Sequence, residues 1–139
     1  MRSALIPIVI AIALAGCAGG GSSPITNPRA EEVPLTKEEM IATHTNTILS
    51  YKMSNGGYGN NTFGSDGTVK GTYYNTNGSS DSDVGTITLE NNIACLKWKK
   101  WTNGKSECWA DYKIGDNQYV CHEQGGKKRS CTWSVKPRS

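Results

Sequence analysis

The sequence predicts a mainly β domain: a small antiparallel meander or barrel of seven or eight strands behind one short N-terminal helix. Three observations carry that class. From residue 45 onward, apolar and polar residues alternate at the two-residue period of a half-buried strand. The alternating runs are short and are separated by polar turn signals at the spacing of antiparallel sheet. The connections have no room for crossover helices, which excludes a parallel sheet.

The folded part opens at Leu35. Thr36-Lys37-Glu38-Glu39 fits a capping box, with Thr36 as N-cap and Glu39 three residues on, so a short helix is expected over residues 37–43. In 45–53, Thr47, Leu49, Tyr51 and Met53 fall on one face and Asn46, Ser50 and Lys52 on the other. Residues 60–63 lead through Ser65-Asp66-Gly67 into a strand over 68–74, where Val69, Gly71 and Tyr73 share a face. Residues 75–83 read as a polar loop. A second hairpin pairs 84–90 with 93–101 around Asn91-Asn92, with Ile87 and Leu89 on one face. Strands over 105–114, 118–123 and 130–136 complete the set, divided by Gly115-Asp116-Asn117 and Gly125-Gly126-Lys127.

The core must be poor in aliphatic residues. Of 139 residues, Val, Ile, Leu and Phe number 23, and seven of these lie in the first 16 positions. Such a shortage usually signals disorder, but residues 17–139 also hold all four Trp and all six Tyr and carry little net charge. One small folded domain over 35–139 is the expectation.

Residues 1–16 combine one Arg, an apolar run from Ala4 to Ala15 and small residues, the pattern of an export signal peptide. The run is shorter than the roughly 20 residues that a membrane-spanning helix needs. Leu14-Ala15-Gly16-Cys17 resembles the lipobox of bacterial lipoproteins. The resemblance implies acylation of the Cys17 thiol, cleavage before it, and attachment to a membrane through that lipid. In the same resemblance Ala18, rather than Asp, favours the outer membrane of the cell envelope, with the periplasmic or surface face left open. Residues 17–34, rich in Gly, Ser and Pro, read as a flexible tether.

With Cys17 set aside, Cys95, Cys108, Cys121 and Cys131 remain. An even number in an exported chain reads as two disulfides, and the absence of a CxxC pair speaks against zinc. Linking Cys95 to Cys108 and Cys121 to Cys131 joins neighbouring strands. A three-residue loop at Gly125-Gly126-Lys127 sets Cys121 opposite Cys131. A two-residue turn at Asn103-Gly104 would leave Cys95 and Cys108 four positions out of register, so either the loop is wider, as one over 100–103 that brings them level, or the cysteines pair otherwise.

No catalytic set assembles. His44 and His122 are the only histidines and read as surface or edge residues, and His122 and Glu123 point to opposite faces of a strand. No enzyme activity, cofactor or metal is expected. Trp98, Trp101, Trp109 and Trp133 are interleaved with Lys97, Lys99, Lys100 and Lys105, and residues 95–139 carry ten Lys and Arg against four acids. The four tryptophans with Lys97 and Lys99 are therefore the candidate binding residues, suited to anionic headgroups or acidic glycans. The other reading makes Trp98 and Trp109 core residues with the lysines on the wet face. Nucleic acid is not an expected partner for an exported protein.

The segments Phe63-Gly64-Ser65-Asp66-Gly67-Thr68-Val69-Lys70-Gly71 and Gly85-Thr86-Ile87-Thr88-Leu89, with Cys95-Leu96-Lys97-Trp98 and Cys108 downstream, resemble a domain of unknown function in secreted alphaproteobacterial proteins. The resemblance spans about 35–121. Ile87 stands where that pattern has Trp, and the Cys121–Cys131 hairpin is an addition. It implies a secreted β-domain and no activity. The expected function is a lipid-anchored envelope protein with a non-catalytic binding or envelope-interaction domain, its partner an envelope protein or glycan. Behind it stand an inhibitor of an exported hydrolase (lysozyme or protease) acting through residues 75–83, and a carrier of small hydrophobic ligands with a Trp-lined mouth.

Overall fold

In the computed structural model, which describes residues 31–139, eight strands run up and down in sequence order and close on themselves. After a two-residue strand β1 (Val33–Pro34) and helix α1 (Lys37–Thr43) come β2 (Thr47–Met53), β3 (Tyr58–Phe63), β4 (Thr68–Tyr74) and β5 (Ser80–Glu90). The chain continues through β6 (Ile93–Trp98), β7 (Ser106–Gly115), β8 (Gln118–Gln124) and β9 (Ser130–Pro137). Each strand of β2 to β9 pairs antiparallel with the next, and β9 returns to β2 with Thr47 opposite Pro137 and Met53 opposite Cys131. Closure leaves the barrel without a free edge along these strands. The expected signal peptide, the lipobox-like residues with Cys17 and most of the expected tether lie outside the described residues.

Helix α1 forms where the capping box places it. The Thr36 N–H donates to Glu39 Oε2 at 2.8 Å and the Glu39 N–H to Thr36 Oγ1 at 3.2 Å, satisfying two of the helix's unpaired amide groups. The helix covers the end of the barrel from which β2 starts, burying Met40 and Thr43, with Leu35 just ahead of it.

The ordered fold begins before Leu35. Strand β6 begins at Ile93, opposite Ala110, which leaves β7 beyond Asp111 without β6 as a neighbour on that side. Val33 and Pro34, expected in the tether, fill the gap opposite Lys113 and Tyr112, and the Leu35 N–H donates to Asp111 O. Glu32 also joins the domain, its Oε2 lying 2.9 Å from His122 Nε2.

Two strand boundaries differ from expectation by three residues or more. Strand β5 starts at Ser80 rather than Val84, because the tight turn at 75–79 continues the hairpin and residues 80–83 pair with 71–74. Strand β6 ends at Trp98, and residues 101–104 form a 3₁₀ turn instead of more strand. The turn is held by the carboxylates of Asp81 and Asp83 across the barrel wall.

Alternation along every strand sends one set of side chains inward. The inward set includes Leu49, Phe63, Val69, Leu96, Trp98, Trp109 and Trp133, so aromatic rings occupy the space that scarce aliphatic residues leave. Both disulfides join the expected partners, Cys95 to Cys108 and Cys121 to Cys131. Cys95 stands level with Cys108, the register of the wider loop, and the bridge lies on the outer face. The Cys121–Cys131 bridge points inward and is buried.

Candidate functional site in the barrel lumen

Up-and-down closure turns the inward faces of eight strands into one lumen. The end opposite α1 is open, framed by the connections between β2 and β3, β4 and β5, β6 and β7, and β8 and β9. A cavity of about 770 Å³ enters there, within the 300–1,000 Å³ usual for small-molecule sites. Asn55, Asn75, Thr102 and Lys127 stand at the rim, and all four tryptophans line the interior.

The floor is a buried polar cluster. His44, expected at the surface, is only 4 % exposed, because the end of α1 turns its ring back into the barrel. Its Nδ1 lies 2.9 Å from Thr43 Oγ1 and 3.0 Å from Met40 O, and its Nε2 lies 3.4 Å from Asp111 Oδ2. Trp133 Nε1 donates to Asp111 Oδ1 at 3.2 Å. The His44 ring also packs against Phe63 and edge-on to Trp133. Thr43, His44 and Asp111 have the order of a nucleophile, base and acid, but the Thr43 hydroxyl donates to Glu39 O at 2.7 Å and is buried. The cluster ties the helix to β7 and β9.

The wall is built around missing Cβ atoms. A Cβ on Gly71 would stand 2.6 Å from Trp98 Cη2 and 2.9 Å from Trp101 Cζ3, so only glycine leaves room for the two rings, whose centroids are 4.7 Å apart. Gly59 makes the same space for Tyr51, whose hydroxyl would lie 2.6 Å from a Cβ there. Burial above all, with Tyr73 and Glu107 close by, keeps the Tyr51 phenol protonated well above the ordinary tyrosine range. Beside Gly71, Asn61 is 8 % exposed, and its Oδ1 has no hydrogen-bond partner among the described residues. A buried carboxamide oxygen without a partner costs about 1–3 kcal/mol unless something fills the role.

Towards the mouth, charges are paired across strands. Arg129 Nε donates to Glu123 Oε2 at 2.8 Å, and its Nη2 to Glu107 Oε2 at 3.2 Å, with the guanidinium 5.2 Å from the Trp109 ring centroid. Trp98 Nε1 completes the chain by donating to Glu107 Oε1 at 3.1 Å. The hydrogen bond from Arg129 holds the Glu123 carboxyl below the usual range. Asp81 is likewise lowered, first by the Trp101 indole N–H and then by Lys100. At Asp83 burial pushes upward but is outweighed by the amide N–H groups of Trp101, Lys100 and Val84.

These shifts give acid sensitivity a sign. A carboxylate lowered in the folded state stabilises the fold above its unfolded value of about 4, and that contribution is lost as pH falls through the folded value. The melting temperature is therefore expected to be flat from neutrality to about pH 4 and to drop below it, with a shallower drop for Glu123→Gln. Equal melting temperatures at pH 6 and pH 3 would contradict the role given to these carboxylates.

The candidate residues from the sequence divide between two surfaces. Trp98, Trp109 and Trp133 are buried in the lumen and Trp101 is half-buried at its mouth, whereas Lys97 and Lys99 are exposed on the outer wall. Adjacent strand residues face opposite ways, so the interleaving of Trp and Lys separates them rather than bringing them together. Sequence reading missed His44, Asn61, Glu107, Asp111 and Arg129. The signal for two of them was present, since Glu107 and Asp111 are in phase with Trp109 and so point inward with it. Among the described residues, no group of three or more His, Cys, Asp or Glu side chains is placed to hold a metal ion.

Comparison with protein-family models, with curated proteins and with solved structures finds no match for this chain.

Proposed function

We propose that the protein is an exported, lipid-anchored envelope protein whose barrel binds a small, largely apolar ligand in its lumen without chemical change. The observation that carries the binding role is the open cavity lined by all four tryptophans, with the unpartnered Asn61 carboxamide in its wall. Rings supply apolar area at low entropy cost, and one polar group that lacks a partner supplies orientation. Support for export comes from the leader and lipobox residues together with four cysteines paired as disulfides.

The inhibitor reading has less support. It needs a protruding loop, yet residues 80–83 belong to β5, and the 75–79 turn is bonded to itself through Asn75, Asn77 and Ser79.

A neutral fluorophore, N-phenyl-1-naphthylamine, tests the lumen. It is expected to brighten on binding and to quench tryptophan emission. Gly71→Leu, which drives a side chain against Trp98 and Trp101, should abolish both signals. Trp101→Ala at the half-buried mouth should change the affinity while leaving the fold intact. Absence of binding to the unaltered protein, or full binding by Gly71→Leu, sinks the proposal. Anchoring is tested separately: Cys17→Ser should move the protein from the membrane to the soluble fraction, and retention in the membrane would refute lipidation at that residue.

A further inference from the structure

The outer wall carries a second surface, independent of the lumen. Register across β3 to β6 places outward side chains in two rows. Thr62, Lys70 and Val84 form one, and Thr68, Thr86 and Lys97 the other. Lys99 joins the first row through its N–H bond to Val84 O, and Arg138 reaches the same place from the C-terminal segment. Together they line a shallow groove of about 970 Å³. Lys70, Lys97, Lys99 and Arg138 are exposed and make no ion pair among the described residues. The acid at the groove's end, Asp66, accepts the Thr68 hydroxyl at 2.6 Å and is lowered foremost by that bond.

We infer that this groove binds an acidic polysaccharide chain. Four cations facing solvent outside any ion pair, with Asp66 at the groove's end as the acid that bears on Arg138, raise the local potential and attract a polyanion. Lys70 on β4 and Lys97 on β6 are two strand spacings and one row apart, roughly 12 Å, so they meet successive acid groups on a chain better than a single small anion. The surface is concave and lined by the hydroxyls of Thr62 and Thr86, which suit sugar hydroxyl groups. Its one exposed apolar side chain, Val84, gives little to insert into a bilayer, which disfavours a lipid surface as occupant.

The test uses the full chain in a neutral detergent, with polygalacturonate as probe and dextran and phosphatidylglycerol vesicles in parallel. The expected result is binding to polygalacturonate at low salt, release by added salt, and no binding to dextran. The triple variant Lys70→Gln, Lys97→Gln, Lys99→Gln should bind roughly tenfold more weakly. Lys52→Gln, Lys113→Gln, Lys128→Gln removes the same charge elsewhere and should bind as the unaltered protein does. All six lysines are exposed, so both triples are expected to fold. Equal loss in the two triples would overturn the groove in favour of general charge attraction. Binding to vesicles without binding to polygalacturonate would overturn the glycan in favour of a lipid surface, and equal binding to dextran would overturn a role for charge.

Discussion

Asp111→Ala is expected to lower the stability of the domain by about 3–5 kcal/mol, the cost of removing one partner from a buried charged or hydrogen-bonded pair. Asp111 is 3 % exposed and is shared by three parts of the fold. Its carboxylate accepts from Trp133 on β9 and faces His44 at the end of α1, while its backbone bonds Leu35 and Asn92. Alanine keeps the backbone bonds but strands the indole N–H and the imidazole, both buried at the floor of the lumen. The check is the urea midpoint, measured beside Asp111→Asn, which keeps an acceptor for Trp133 and should lose less. Equal midpoints for the two variants would mean that neither the acceptor for Trp133 nor the side-chain volume matters, and that the second carboxylate oxygen facing His44, lost in both, accounts for the effect.

Reducing both disulfides is expected to have a larger effect. Sequence separations of 13 and 10 residues correspond to about 3 kcal/mol each in the chain-entropy model. Their sum is comparable with the whole stability of a typical domain, about 5–15 kcal/mol. The aliphatic shortage leaves little else in reserve, so the reduced protein should be largely unfolded at physiological temperature. The pairs are also unequal. Cys95–Cys108 lies on the outer wall, and replacing both by Ala should remove little beyond the cross-link. Cys121–Cys131 lies inside the lumen, where the same change also removes buried sulfur packing. Thermal melts of the two double variants and of the reduced protein measure the difference. A reduced protein that melts within a few degrees of the oxidised one would show that the aromatic core suffices.

Much of the fold is legible in the sequence because the relevant signals are local. Thr36 and Glu39 are three residues apart and cap one helix turn. Thr47, Leu49, Tyr51 and Met53 declare their shared face by alternation alone. The Cys121–Cys131 pair follows from loop length and register within one hairpin, whereas the Cys95–Cys108 pair depended on the wider loop that the structure supplies. Strand ends were less legible where side chains distant in sequence decide them. Nothing local in Ser80-Asp81-Ser82-Asp83 says that its carboxylates will hold the turn at Lys100 and Trp101, so that polar run read as loop.

The sequence by itself determined the class of fold, the inward and outward faces of most strands and the helix, and favoured the two disulfide pairings, since period, caps and turns act over a few residues. Only the tertiary structure decided that β9 closes on β2, and with closure that the inward tryptophans surround an open lumen instead of a flat sheet's face. Closure also brought His44 to Asp111 and Trp133 and set Arg129 between Glu107 and Glu123. These groups come from different strands or from the helix, and no local pattern records which of several satisfied partners a buried polar group will meet. Strand alternation alone sets Trp98 apart from Lys97 and Lys99, and closure turns the two faces of that stretch into a lumen and an outer wall of different chemistry.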